Sequence, residues 1–198
     1  MNQLKRVKVA GFRSIREMDL ELRPINVLIG ANGAGKSNFA SIFQMLNYSM
    51  SEGLQLWIGQ NGGASSILHY GPGRTPQMTV EVEYETDVGV CRYSARLVRA
   101  AHDALVFGGE TIASAYPGLR DGERSFGSGH MESAVPSRSK VGDEEAAAAL
   151  RSISQWRFYQ FHDTSAASGV RARCYIHDNR YLRSDAANLA ACLHFLRE

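Results

Sequence analysis

Cysteine is scarce in this 198-residue chain: Cys91, Cys174 and Cys192 lie far apart and no C-x-x-C pair occurs. Three widely spaced thiols argue against a disulfide framework and against a zinc site, and read as ordinary reduced cysteines. Long apolar runs are lacking too. No stretch approaches membrane-spanning length, and residues 1–12 lack the continuous apolar core of a signal peptide, so no membrane partner is expected and the expected compartment is the cytoplasm. Charge of one sign is not in excess: 22 basic against 20 acidic residues leave a formal net charge of +2. That balance gives no global field pointing to nucleic acid or membrane, although a local basic patch is compatible with it. No internal repeat is visible.

What is present is 44% hydrophobic residues in a length that can bury a sizeable core. The most informative stretch is NVLIGANGAGKSNFASIF, residues 26–43. Gly30, Gly35, Lys36 and Ser37 fit G-x-x-x-x-G-K-[ST], with Asn32, Gly33 and Ala34 inside the loop and Asn38 after it. Glycines there permit positive φ, so successive N–H groups can turn inward as a nest for β- and γ-phosphate oxygens. Lys36 supplies a point charge and Ser37 a hydroxyl for Mg²⁺. The flanks agree: Ile25, Val27, Leu28 and Ile29 read as a short buried strand, while Phe39, Ile42, Phe43 and Leu46 recur at helical spacing. The helix is expected to begin near Lys36, adding its positive dipole end to the phosphate site. The spacing therefore predicts binding of ATP and Mg²⁺.

Around this loop the chain divides by pattern. In residues 1–50, strands are expected at 4–10 and 18–22, joined through GFRSI, a turn that carries Arg13. Residues 47–76 are rich in Gly and Ser and read as irregular, with a short helix near 54–58. Residues 77–113 form a β subdomain. Its hairpin bends at Val88 and Gly89, which sets Glu85 opposite Arg92, Glu81 opposite Arg96, and Tyr84 beside Tyr93. Further strands are expected at 104–107 and 110–113. Residues 116–142 are polar and rich in turn formers, a flexible surface loop in which His130 has no special role. In 143–198, Asp143 caps a helix with Ala146, Ala149, Leu150 and Ile153 on one face; an aromatic strand follows, and a last helix begins at Ser184 or Asp185 with Leu189, Leu193 and Leu196 in one stripe.

The whole pattern resembles the N-terminal half of an ABC-type ATPase of the RecF-like and SMC-like branch, the AAA-21-like group. The residues that carry the resemblance are VAGFRSIREMDLELRPINVLIGANGAGKSNF, then FYQFHDTS and DNRYLRSDAANLAACLHFL. It implies an α/β fold, a P-loop NTPase whose first lobe carries an antiparallel β-hairpin subdomain. It also implies that residues 30–37 bind triphosphate and Mg²⁺, that Arg13 approaches the nucleotide, and that Gln160 is the nominal Q-loop glutamine and a further Mg²⁺ ligand. Relatives carry a Leu-Ser-Gly signature, a Walker B acid pair and a switch histidine further along; none appears in order here. The chain is accordingly expected to be partial, with no catalytic residue of its own and no turnover alone. A missing C-terminal half or complementary chain is expected to cover its apolar edge. The complete protein is expected to form a homodimer around ATP and to act on DNA or through an effector such as a nuclease. The competing reading is a non-hydrolysing nucleotide-binding or interaction module. A P-loop kinase fits poorly, since a β-hairpin stands where its acceptor pocket and lid would follow.

Overall fold

In the computed structural model, which describes residues 3–86, 89–115, 122–157, 159, 168–183 and 185–197, the chain divides into two compact units, residues 1–156 and 157–198. The first is built on a six-stranded antiparallel sheet. Its strands are β1 (Gln3–Phe12), β2 (Ile15–Glu21), β3 (Gln77–Thr86), β4 (Gly89–Arg99), β5 (Leu105–Ala115) and β6 (Gly122–Ser125), in the order β2-β1-β3-β4-β5-β6. The helices are α1 (Lys36–Met50), α2 (Leu54–Gln60), α3 (Gly63–Ile67), α4 (Val135–Lys140) and α5 (Glu144–Ser154). The expected mixed α/β class is therefore observed.

Strict alternation explains why the sheet has one dry face. Val7 and Val9 of β1, Met78, Val80, Val82 and Tyr84 of β3, and Cys91, Tyr93, Ala95 and Leu97 of β4 are all buried. They share one core with Ile42, Met45 and Leu46 of α1, Trp57 and Ile58 of α2, and Ala146, Ala149 and Ile153 of α5. The opposite face pairs its charges across the strands. Arg6 grips Asp19 through two hydrogen bonds of 2.6 and 2.7 Å, Lys8 lies 3.0 Å from Glu81, Lys5 2.6 Å from Glu85, and Arg92 3.1 Å from Glu83.

The hairpin register differs from the expectation by two residues. Thr86 pairs with Gly89, so Glu83 faces Arg92, Glu81 faces Ser94, and Val82 rather than Tyr84 faces Tyr93. A two-residue slip preserves which side chains face the core, and so leaves the hydrophobic pattern blind to it. The two short strands expected after this hairpin are one strand, β5. Its register against β4 shifts between Arg96 and Leu97, a bulge that accommodates Gly108, whose carbonyl accepts a hydrogen bond from Arg96.

The flexible loop expected at residues 116–142 is also corrected: its described part, from residue 122, is built into the fold. Phe107 N–H donates to His130 O at 2.9 Å, Gly129 N–H to Phe107 O at 2.7 Å, and Phe126 N–H to Glu110 O at 2.9 Å. Glu110, on β5, has no solvent exposure. Its carboxylate collects four donors: the Tyr93 hydroxyl at 2.7 Å, the Ser133 hydroxyl at 2.6 Å, Ala134 N–H at 2.9 Å and His130 Nε2 at 3.1 Å. His130 also stacks on Phe107, with ring centroids 4.6 Å apart. Burial above all, and the neighbouring Glu110 carboxylate after it, hold the Tyr93 phenol well above its ordinary range, so it stays protonated and donates. Glu132 caps α2 by accepting from Leu54 and Gln55 N–H at 2.7 and 3.0 Å. Polar composition signalled a loop because these partners are distant in sequence.

Asp143 does cap α5, accepting from Ala146 N–H at 3.1 Å. In the second unit, α6 (Leu189–Arg197) begins later than expected. Ala186 sits at φ 58°, and the buried Asn188 spends its amide on the carbonyls of Asp178 and Tyr181, both at 2.8 Å. Those bonds hold the preceding residues in turns and delay the helix. Leu193 and Leu196 are exposed. The expected aromatic strand after Trp156 falls almost wholly outside the described residues.

Candidate functional site

Residues 30–37 lead into the first turn of α1. Gly33 and Gly35 adopt φ 84° and 95°, left-handed backbone that favours glycine, and Gly35 occupies the N-cap position. A Cβ at Gly35 would come within 2.9 Å of the Ser14 hydroxyl, which itself accepts from the Asn38 amide at 2.7 Å. The glycine loop is thus packed against the β1–β2 turn. Lys36 curls back over the loop: its Nζ donates to the carbonyls of Gly30 and Ala31 at 2.5 and 2.8 Å. Asn32, Gly33 and Ala34 lie exposed at the tip, and Ser37 is exposed at the start of α1. The loop glycines, the first turn of a fifteen-residue helix and the Lys36 ammonium thus lie side by side in the chain.

Residues 25–29 depart from the expected buried strand. They form no strand, and Ile25 is 84% and Ile29 92% exposed. None of the strand pairs among the described residues includes this segment. An apolar run without hydrogen-bond partners cannot hold a strand by hydrophobicity alone.

Arg13 stands at the other end of the site, in the turn after β1, at φ 48°. Its guanidinium donates to Ser41 Oγ at 3.1 Å and to Asn61 Oδ1 at 2.5 Å, and lies over the rings of Phe12 and Trp57. Burial draws its pKa below the usual arginine value. Its carbonyl accepts from His69 Nδ1 at 2.6 Å, which fixes that imidazole's tautomer. Arg13 and Asn38 line a cavity of about 590 Å³ with Asn61, Ser65, Tyr70 and Gly71. The structure therefore brings Arg13 and Asn38 together, with the loop reached through Ser14. Gln160 lies outside the described residues. Asn61 and His69, which anchor Arg13, carry no signal in sequence because their partners lie on other elements.

Residues 3–68 match the AAA ATPase domain family model. No curated protein sequence matches the chain. Among solved structures, the chain is similar to the recombination mediator protein RecF bound to ATP, from the RecFOR pathway, at 17% identity and a TM-score of 0.34, covering 64% of this chain and 28% of that one. It is also similar to an SMC ATPase from work on ATP-driven dimerisation and DNA-stimulated activation, at 17% identity and a TM-score of 0.37, covering 74% of this chain and 79% of that one. The chain thus spans little more than a quarter of the RecF chain. Residues 3–68 of this chain, which hold the first strand pair, the glycine loop and the first helices, are thus the part similar to the AAA ATPase domain.

Proposed function

We propose that residues 30–37 bind the triphosphate of ATP, with Ser37 and Mg²⁺ completing the site, and that the chain is the N-terminal half of an ABC-type ATPase. The observation that carries this reading is the loop itself: Gly33 and Gly35 in left-handed backbone, immediately before Lys36 and the start of α1. In this reading the loop N–H groups donate to phosphate oxygens, Lys36 offsets their charge, and the Ser37 hydroxyl supplies an oxygen ligand. Mg²⁺ would neutralise phosphate charge. Arg13 and Asn38 flank the cavity beside the loop and orient whatever projects from the phosphates. The complete protein would dimerise on ATP and couple that closure to DNA or to an effector such as a nuclease, with Gln160 as a further site residue.

Titration calorimetry tests the core of this reading. ATP–Mg²⁺ should bind the 198-residue chain modestly, and Lys36→Ala should abolish the heat; equal affinity in the variant would remove the P-loop assignment. Steady ATP turnover by the chain alone would show that the catalytic acids need no second half.

A further inference from the structure

Beyond the nucleotide loop, we infer that a second cavity, at the Gly11 end of the sheet, takes one unstacked nucleotide of a single-stranded nucleic acid. It has a volume of about 570 Å³, within the range of ligand pockets, and is lined by Arg16, His69, Tyr70, Arg74, Gln77 and Thr79, among others. No carboxylate is in that lining. Elsewhere on the open face of the sheet four cations are neutralised in place, through Lys5–Glu85, Arg6–Asp19, Lys8–Glu81 and Arg92–Glu83, and Arg96 is taken up by the Gly108 carbonyl. Arg16 and Arg74, both exposed, make no ion pair among the described residues. Two guanidinium forks around one concavity are suited to phosphate oxygens.

The aromatic group decides between ligands. Tyr70 is 77% exposed even though Arg74 lies 5.4 Å from its ring centroid and the His69 ring packs against it edge-on at 4.4 Å. Such a ring, held at the mouth of a basic pocket, offers a π-face to a base, and only a base released from a duplex can use it. The turn that carries the ring is fixed in its backbone. Tyr70 itself is at φ 54° and Gly71 at φ 80°, and the turn is closed by Gly71 N–H donating to Leu68 O at 2.9 Å. His69 N–H donates to Gly11 O at 3.0 Å, tying the turn to β1. Phosphates on Arg16 and Arg74 with a base on Tyr70 describe a strand crossing this end of the sheet. The inference deepens the DNA part of the function proposed above, yet it needs neither Lys36 nor bound nucleotide.

Fluorescence anisotropy of a labelled oligo(dT) with the 198-residue chain tests it. Arg16→Glu/Arg74→Glu should weaken binding at least about tenfold and reduce the slope of log affinity against log salt by roughly 1.4, the share of two phosphates on a single strand. Tyr70→Ala should weaken binding about tenfold with little change in slope. Lys36→Ala should bind the strand as the parent does, which separates this site from failure of the P-loop. If the charge-reversed double variant does not melt as the parent does, Arg16→Gln/Arg74→Gln replaces it. Parental affinity and slope in a folded double variant overturn the inference, as does absence of strand binding by the parent. Duplex bound as tightly as the single strand would reduce the site to surface charge, and displacement of the strand by equimolar AMP would make it a mononucleotide site; either result refutes a strand site.

Discussion

Replacing Glu110 by alanine should be among the most damaging single changes outside the nucleotide loop. The carboxylate has no exposure and accepts from two hydroxyls, one backbone N–H and one imidazole. Hydrogen bonds to a charged group contribute about 1.5–3 kcal/mol each when a single partner is lost, and an orphaned buried donor costs about 1–3 kcal/mol. Not all four add, because the Tyr93 and Ser133 hydroxyls can rotate toward each other and His130 is close enough to the surface to find water. The Ala134 N–H can do neither. Together with the cavity left by the removed atoms, Glu110→Ala should cost about 4 kcal/mol, near the upper limit for point mutants. Glu110→Gln keeps the volume and can aim its carbonyl at Ala134 while its amide donates to the hydroxyls, so it should cost about 1–2 kcal/mol. Urea denaturation followed by tryptophan fluorescence measures both, since Trp57 and Trp156, the two tryptophans of the chain, both lie in the first unit. An alanine variant within 1 kcal/mol of the parent would show that the network positions the segment after β6 without stabilising it.

Three further perturbations follow from the same packing. Gly11→Ala places a Cβ 2.6 Å from the Gln77 carbonyl and 2.9 Å from a Thr75 methyl at φ 76°, and should cost about 2–3 kcal/mol in the same denaturation assay. Asp143→Ala removes the α5 cap at a cost of about 1 kcal/mol at neutral pH. Desolvation opposes ionisation of Asp143, but the Ala146 N–H and Arg124 together hold its pKa below the ordinary 3.8; its contribution is therefore present above that value and lost as pH falls through the depressed one, so the variant should lose less stability than the parent in acid melts. Ile25→Glu/Ile29→Glu should reduce any self-association seen by light scattering at high concentration, because both side chains are exposed on a segment without strand partners.

The parts legible in sequence are those set by neighbours along the chain. The glycine spacing located residues 30–37, the alternation of β1, β3 and β4 located the sheet, and Asp143 three residues before Ala146 located the α5 cap. Pairings between distant segments were not legible. Nothing near His130 announces Glu110, twenty residues earlier, and nothing near Arg13 announces Asn61. The apolar run at 25–29 is the instructive failure: composition reports that a segment can be buried, while strand formation also needs hydrogen-bonded partners, and this run pairs with no described strand.

Lys36 gives the glycine loop a property beyond charge. With its ammonium on the Gly30 and Ala31 carbonyls, the side chain acts as an internal strap that closes a ring of seven residues on itself. Any anion that takes hold of Lys36 does so by exchange, trading two carbonyl acceptors for its own oxygens, so measured affinity is a difference between two sets of bonds. The strap also keeps the loop folded while it waits, which means that substituting Lys36 loosens the resting loop as well as weakening the liganded one. A lysine-to-methionine change should accordingly speed amide exchange across residues 30–35 before any ligand is added.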